Sequence, residues 1–380
     1  MKRLGLLFAT AVFAAPAHAA DLTEQQARAL AEQVFRPVIE EYRIPGIAIG
    51  ITLDGSQFFF TDGLADRAAS RPVDKDTIFE LGSNSKLFNV ALAALADEKG
   101  LLSLDDAVSR HIPALEGSAS GGITLDDLAA HATGGLPLQV PEGIADDPAL
   151  LDYLAEWQPG DGGLRSYSNV SIGLLGRIAG EAFGGTYEDA LKAQLLPGLG
   201  MDSTFVTVPD SAADRYAFGY SRTDDSPVRV NPGMLDAEAY GIKSSIADMT
   251  RFVDAQLGVL DIDDDIAAAL ARTQIAGFDT AHFGQAMIWE VYPWPMDAAR
   301  LEAGNSSDMA LKQQPMERRS SPVEGPVFLN KTGATNGFGS YVAMVPSERI
   351  GVVVLANRNY PNPVRARATV ELIERILALD

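Results

Sequence analysis

Apolar residues recur at helical spacing from Ala27 through Leu30, Ala31, Val34 and Phe35 to Ile39, the signature of one buried helix face. Thr23 followed three residues later by Gln26 is a capping-box start for that helix. Pro37 is expected to kink it and Pro45-Gly46 to end it. The pattern then turns to strands. Residues 47–53 and 57–61 read as a hairpin pair joined at Asp54-Gly55. From Ser83 to about Ala190 the chain is mostly helical, with Gly/Pro-rich connectors. Leu87 opens an apolar run that continues to Ala96, and 171–183 and 187–196 read as further helices. Thr124-Leu125-Asp126-Asp127 caps a short helix whose last turn holds His131, where a partly cationic side chain is favoured. Gly134-Gly135-Leu136-Pro137-Leu138-Gln139-Val140-Pro141 reads as a restricted loop able to hold Gln139 in place.

Strand signals return at 327–331, 340–345 and 350–355, the last two joined by Pro346-Ser347-Glu348-Arg349, short enough for an antiparallel hairpin. An amphipathic helix over 364–379 closes the chain, and the polar, irregular stretch 301–325 reads as a mobile surface loop. Strands at both ends and helices between them predict an α/β (α+β) architecture, an antiparallel sheet flanked by helices. The expected division is an α/β domain from 20–80 and 236–380 and a mainly helical insert at 81–235, with a site at their seam.

Residues 1–19 change the picture of where the protein works. Lys2 and Arg3, an apolar core and Ala17-His18-Ala19 make a cleavable secretory signal, too short to span a bilayer. The expected product is an exported periplasmic protein without a membrane anchor. The chain has 51 acidic and 30 basic residues, net −21. Removing the leader, which holds two basic and no acidic residues, makes this −23. Such a field disfavours nucleic acid and anionic membranes, and an anionic substrate would need positive charge gathered locally. With no cysteine, disulfides and thiolate chemistry are excluded. His111, His131 and His282 lack metal-ligand spacing and read as surface or structural residues.

The chemistry is carried by three short motifs. Ser83-Asn84-Ser85-Lys86 places a hydroxyl and an amine on one helix face. A serine becomes nucleophilic when a neighbouring base takes its proton, and a desolvated lysine can be that base. Tyr167-Ser168-Asn169 presents a phenol and an amide from one turn, and two nearby ammonium groups would favour a phenolate able to take the proton from Ser83. Lys331-Thr332-Gly333 supplies a second cation, able to bind a substrate carboxylate, and a glycine that lets a ligand approach the strand. Singly, Tyr167 also reads as a core tyrosine and Lys331 as an edge-strand lysine; the three in this order point to acyl transfer.

The sequence resembles the class C (AmpC-type) serine β-lactamases, within the penicillin-recognising serine hydrolases. The likeness runs from about Ala27 to the C-terminus and includes 79–86, 135–141, 167–174, 235–245, 331–341 and 355–363. It departs at Asn330, where histidine is frequent, at Gly162-Gly163 and over 301–325. The resemblance implies a β-lactamase/transpeptidase-like fold and hydrolysis of cephalosporins and penicillins through an acyl-enzyme on Ser83, with no metal or organic cofactor. It implies Lys86 and Tyr167 as proton carriers, with the primary base left open, and the backbone N–H groups of Ser83 and Ala334 as an oxyanion hole. Gln139 and Asn169 would bind the acylamino side chain, and Tyr240 would wall its pocket. Lys331, Thr332, Asn362 and Arg365 would hold the carboxylate. A monomer with a small-molecule β-lactam as its only partner is expected. A cell-wall peptidase or esterase and a penicillin sensor use the same acylation chemistry.

Overall fold

A computed structural model describes residues 22–160 and 163–379. The secretory signal at 1–19 and Gly162 lie outside these residues. The helix Glu24–Tyr42 starts with the expected capping box, Thr23 and Gln26 bonding reciprocally. It continues past Pro37 and ends where Arg43 turns left-handed at φ 50°.

Eleven strands form one sheet. In spatial order they are Arg71–Pro72, Ser56–Asp66, Gly46–Leu53, Ile350–Ala356, Gly339–Val345, Val327–Ala334, Glu290–Pro293, Gly284–Gln285, Phe278–Thr280, Gln314–Arg318 and Leu164–Arg165. Every pairing is antiparallel. The hairpin across 346–349 pairs Val345 with Ile350.

Gly46–Leu53 is buried on both faces, and its alternation divides two cores. Ile47, Ile49 and Ile51 pack with Phe35 of the first helix and Leu372 and Ile373 of the last, Asn362–Leu377. Ala48 faces the other core, with Phe252 and Val253 of the helix Ile246–Gln256. The two terminal helices thus cover one face, joined there by Leu301 and Met309 from two short helices, and most of the remaining helices build against the other.

At the centre of that second core lies the helix Ser85–Glu98, in which every residue from Ser85 to Ala96 is buried. A helix apolar on all sides can only be an internal one. Its alanines let Asn169–Ala182 and Asp264–Thr273 come close, and Phe88 meets Phe252 with ring centroids 4.6 Å apart. Burying each large side chain here contributes roughly 1.5–3 kcal/mol, so the helix that begins one residue after the Ser83 turn is anchored firmly.

Three expectations need correction. Residues 301–325 are not one irregular loop: they include the end of the helix Ala298–Gly304, then Asp308–Leu311 and the strand Gln314–Arg318, which links Phe278–Thr280 to Leu164–Arg165. Polar composition concealed a strand next to the sheet's edge, most of whose side chains face water. The single helix expected over 187–196 is α-helical at Tyr187–Ala190, widens to a π turn at Leu191–Leu195 and resumes at Leu196–Leu199. His131 lies beyond the short helix Leu125–Ala129 rather than in its last turn, with φ 58°, and is fully buried.

Candidate active site

Ser83 sits in a tight 3-10 turn, Gly82–Asn84, immediately before the buried helix. Two glycines let this turn press against the strand Val327–Ala334. A β-carbon on Gly82, at φ 53°, would lie 2.5 Å from the Ala334 nitrogen, and one on Gly333 would lie 2.1 Å from the Leu81 oxygen. The Ser340 hydroxyl donates to the Leu81 carbonyl at 2.6 Å and accepts from the Asn84 amide at 2.7 Å, locking turn to sheet. The backbone of Ser83 and that of Ala334 therefore come to one place.

Lys86, one helical turn on, is completely buried. Its ammonium donates to the Ser83 hydroxyl at 3.1 Å and to the Ala239 carbonyl at 2.6 Å. Burial lowers its pKa to about 8, with Lys331 adding to the effect and Tyr167 opposing it. The amine is thus held against the nucleophile and close to losing its proton.

Tyr167 precedes the helix Asn169–Ala182, which Ser168 caps by accepting from the Ser171 N–H at 2.9 Å. The Nζ atoms of Lys86 and Lys331 each lie 5.2 Å from the centre of its ring, and the Arg165 guanidinium 5.4 Å. Burial pushes the phenol's pKa up. Lys331, Lys86, the Ser83 hydrogen bond and Arg165 together pull harder and bring it down to about 7. A phenol so placed is half ionised near neutral pH and can accept a proton.

Lys331 is buried but for its tip on a cleft of about 160 Å³, and donates to the Thr332 carbonyl at 2.8 Å. Ser83, Tyr167, Thr332, Gly333, Ala334 and Asn362 line the same cleft. Asn330, the departure before Lys331, is turned away: it accepts from the Tyr341 hydroxyl at 2.9 Å and donates to the Glu290 carbonyl at 3.3 Å. Lys331 and Arg165 therefore line the cleft, with Lys86 buried behind Ser83, within a strongly acidic protein.

The other sequence candidates are distributed around this centre. Asn169 is nearly buried, and its backbone N–H bonds the Leu138 carbonyl at 2.8 Å, tying it to the loop that carries exposed Gln139. Tyr240 follows Ala239, whose carbonyl receives Lys86. Arg365 is not in the cleft. It is fully buried and spends its guanidinium on the carbonyls of Gly333 (2.7 Å), Ser340 (3.3 Å) and Tyr360 and on the Asn359 side chain (2.5 Å). The family resemblance implied a place on substrate; the fold instead uses its five-donor fork to fasten the strand that ends in Gly333 and Ala334.

Two buried ions went unnoticed in the sequence. Arg165, held by Gln285 (2.7 Å) and the Met309 carbonyl (2.6 Å), lies beside Tyr167. Glu290 lines the cleft, its pKa raised by burial against the opposing pull of Lys331 and Arg165. Neither occupies a motif; the one available signal was the two-residue spacing of Arg165 from Tyr167.

Comparison with known proteins gives this geometry a family. The Beta-lactamase family model matches residues 31–375. A Beta-lactamase of Psychrobacter immobilis is 40% identical over 378 residues, covering 98% of this chain and 94% of that protein. A crystal structure of a class C beta lactamase from Rhodobacter sphaeroides is 53% identical, with a TM-score of 0.90 over 92% of this chain and 99% of that one. A class C beta-lactamase solved in complex with cefoxitin is 36% identical, with a TM-score of 0.89 over 93% and 99% of the two chains. With its antiparallel sheet, its Ser83–Lys86 turn and its Tyr167 between two lysines, the chain belongs to the beta-lactamase family, among the class C enzymes.

Proposed function

We propose that the cleft hydrolyses the β-lactam amide of cephalosporins and penicillins through an acyl-enzyme on Ser83. The observation that carries this reading is the contact of the Ser83 hydroxyl with Lys86, beside a phenol whose pKa falls to about 7. The Ser83 oxygen attacks the lactam carbonyl carbon, and its proton passes to the Tyr167–Lys86 pair. Negative charge on the carbonyl oxygen is met by the N–H groups of Ser83 and Ala334, the kind of preorganised dipoles that supply the largest catalytic effect. The C–N bond breaks and the ring nitrogen takes the proton back from the pair. A water, losing its proton to Tyr167, then attacks the ester; the acyl C–O bond breaks and Ser83 recovers its proton.

Lys331, Thr332 and Asn362 bind the substrate carboxylate, which explains positive charge concentrated here in a chain of net −21. Gln139 and Asn169 hydrogen-bond the acylamino group, with Tyr240 as a wall. Arg365 acts behind the strand rather than on substrate. The cleft lies at the seam of a sheet-bearing unit (20–80, 236–380) and a helical one (81–235). The leader read in the sequence directs export to a periplasm, and among the described residues no helix is long and apolar enough to cross a membrane. The enzyme works as a monomer on small molecules and not on nucleic acid.

The test is steady-state hydrolysis of nitrocefin by the purified protein, with the whole-protein mass of a quenched sample. Turnover with a transient adduct, both lost in Ser83→Ala, is expected. A persistent adduct with little turnover would instead indicate a penicillin-binding peptidase or sensor, and turnover by Ser83→Ala would remove the assigned nucleophile.

A further inference from the structure

His131 lies in the middle of the charged cluster, yet no step of the mechanism uses it. It is completely buried. Its carbonyl accepts the N–H of Ser166 at 3.0 Å and its Nδ1 accepts the N–H of Ser168 at 3.3 Å. Both residues adjoining Tyr167 are thus fastened to one side chain and its own backbone. The imidazole also lies against the phenol, with ring centroids 4.4 Å apart and planes inclined at 51°. This double grip needs the left-handed backbone at His131, φ 58°, uncommon for a residue with a side chain and kept where the surrounding structure compels it.

We infer that His131 is a positioning residue for the acyl-transfer reaction, clamping the chain on either side of Tyr167 so that the phenol stays between Lys86 and Lys331. The inference rests on the hydrolytic reading above and adds to it a residue that touches neither substrate nor nucleophile. An Nδ1 that accepts cannot carry a proton, so the clamp requires the neutral ring. The surroundings enforce that state. Burial and then the positive charges of Arg165, Lys86 and Lys331 hold the imidazole well below its ordinary pKa. The groups facing Tyr167 are Lys86, Lys331, Arg165 and the Ser83 hydroxyl, so a small displacement of the phenol changes its distance from three cations at once.

Two variants separate the clamp from general packing. His131→Gly accepts the left-handed backbone without strain and keeps the carbonyl, but loses the Nδ1 acceptor and the ring. His131→Asn tolerates the same backbone and returns an acceptor oxygen to the Ser168 N–H. Nitrocefin kcat and kcat/KM are measured against pH well below each variant's melting temperature. His131→Gly is expected to lose about tenfold in kcat through misplacement of the phenol. Its acidic limb should move upward, because a phenol farther from its cations ionises less readily. His131→Asn should stay within about threefold of the wild type with its limb in place, since one neutral hydrogen bond is recovered. A His131→Gly protein with wild-type rate and profile overturns the inference, and so do two variants equally impaired. Should His131→Gly fail to fold, His131→Ala, which also keeps the carbonyl and lacks the acceptor, takes its place: an unshifted limb in it overturns the inference, and a limb shifted in it but not in His131→Asn upholds it. Absence of turnover in the wild type would defeat the hydrolytic reading itself, a distinct result.

Discussion

A β-carbon placed on Gly82 would come within 2.5 Å of the Ala334 backbone nitrogen and 2.5 Å of its oxygen. The serine turn and the strand edge that would cradle the reacting carbonyl are packed so closely that only a hydrogen fits between them. Gly82→Ala must push the turn away from the strand, and it also places a side chain at φ 53°. The backbone conformation alone costs about 1 kcal/mol. The larger effect is on rate, because displacing one of two oxyanion donors costs about 10²–10³ in kcat. We expect a folded protein, slightly lowered in melting temperature, whose kcat for nitrocefin collapses while acylation sites stay intact by mass. A fall in melting temperature without the loss of kcat would mean that the two backbones are not functionally coupled.

The pH profile of kcat/KM should show the same cluster at work. Tyr167 titrates at about 7 and Lys86 at about 8. Below pH 7 the phenol holds its proton and cannot take the one from Ser83, so the rate falls toward acid. Above pH 8 Lys86 loses the charge that helps to hold the phenolate, and the pair ceases to carry the proton to the leaving nitrogen, so the rate falls toward alkali. The groups interact strongly, and the two limbs belong to the pair rather than to either residue. Tyr167→Phe should lower kcat by about 10²–10⁴, the range for a lost general base, and should abolish the acidic limb. A Phe variant that keeps that limb would place the proton acceptor elsewhere.

Arg365 shows how a motif-adjacent charge can serve the fold instead of the ligand. Arg365→Ala leaves the carbonyls of Gly333, Ser340 and Tyr360 without this donor in a buried place. Breaking such a network costs about 3 kcal/mol or more, visible as a lowered denaturant midpoint. The substitution should also reduce kcat through movement of Gly333 and Ala334, with little preference between carboxylate-bearing and carboxylate-free substrates. A KM increase confined to carboxylate-bearing substrates would restore a direct role.

The contrast between residues that were legible and those that were not has a physical cause. Ser83, Lys86, Tyr167 and Lys331 announce themselves because their chemistry needs fixed local spacing, and a helix turn or strand end delivers it. The sheet could be anticipated likewise: 47–53, 340–345 and 350–355 alternate or run apolar, and they became the central strands. Arg165, Arg365 and His131 carry no such local mark. Their partners are carbonyls, amides and rings from 25 to 144 positions away or on a neighbouring turn, as with the Arg365 bond to Ser340 and the Arg165 bond to Met309. A charged residue in a sequence reads as solvated, and only the tertiary fold shows that its charge has been buried against backbone. The strand Gln314–Arg318 was missed for a related reason: its exposed side chains break the apolar pattern while its backbone still pairs on both sides.

Glu80 extends this to the strand that leads into the serine turn. Almost fully buried, its carboxylate accepts from the Tyr216 hydroxyl and the Val230 N–H, both at 2.7 Å, and from the Thr335 hydroxyl at 2.6 Å. Thr335 follows Ala334, and Glu80 stands three residues before Ser83, so one side chain joins the two segments whose N–H groups would meet the oxyanion. Glu80→Ala should leave three partly buried donors without their acceptor, lower stability by about 3 kcal/mol, and reduce kcat more than it raises KM. Glu80→Gln tests whether charge or hydrogen-bond geometry matters. The amide oxygen can take the bonds from Tyr216 and Val230, and the amide nitrogen can donate to the Thr335 hydroxyl, which rotates to accept. Only the charge assistance is lost, so the cost should be about 1 kcal/mol with kcat near wild type. If denaturant titration and nitrocefin kinetics show Glu80→Gln as damaged as Glu80→Ala, the negative charge itself, facing the Arg229 guanidinium stacked on Tyr216, would be what holds the oxyanion segments together.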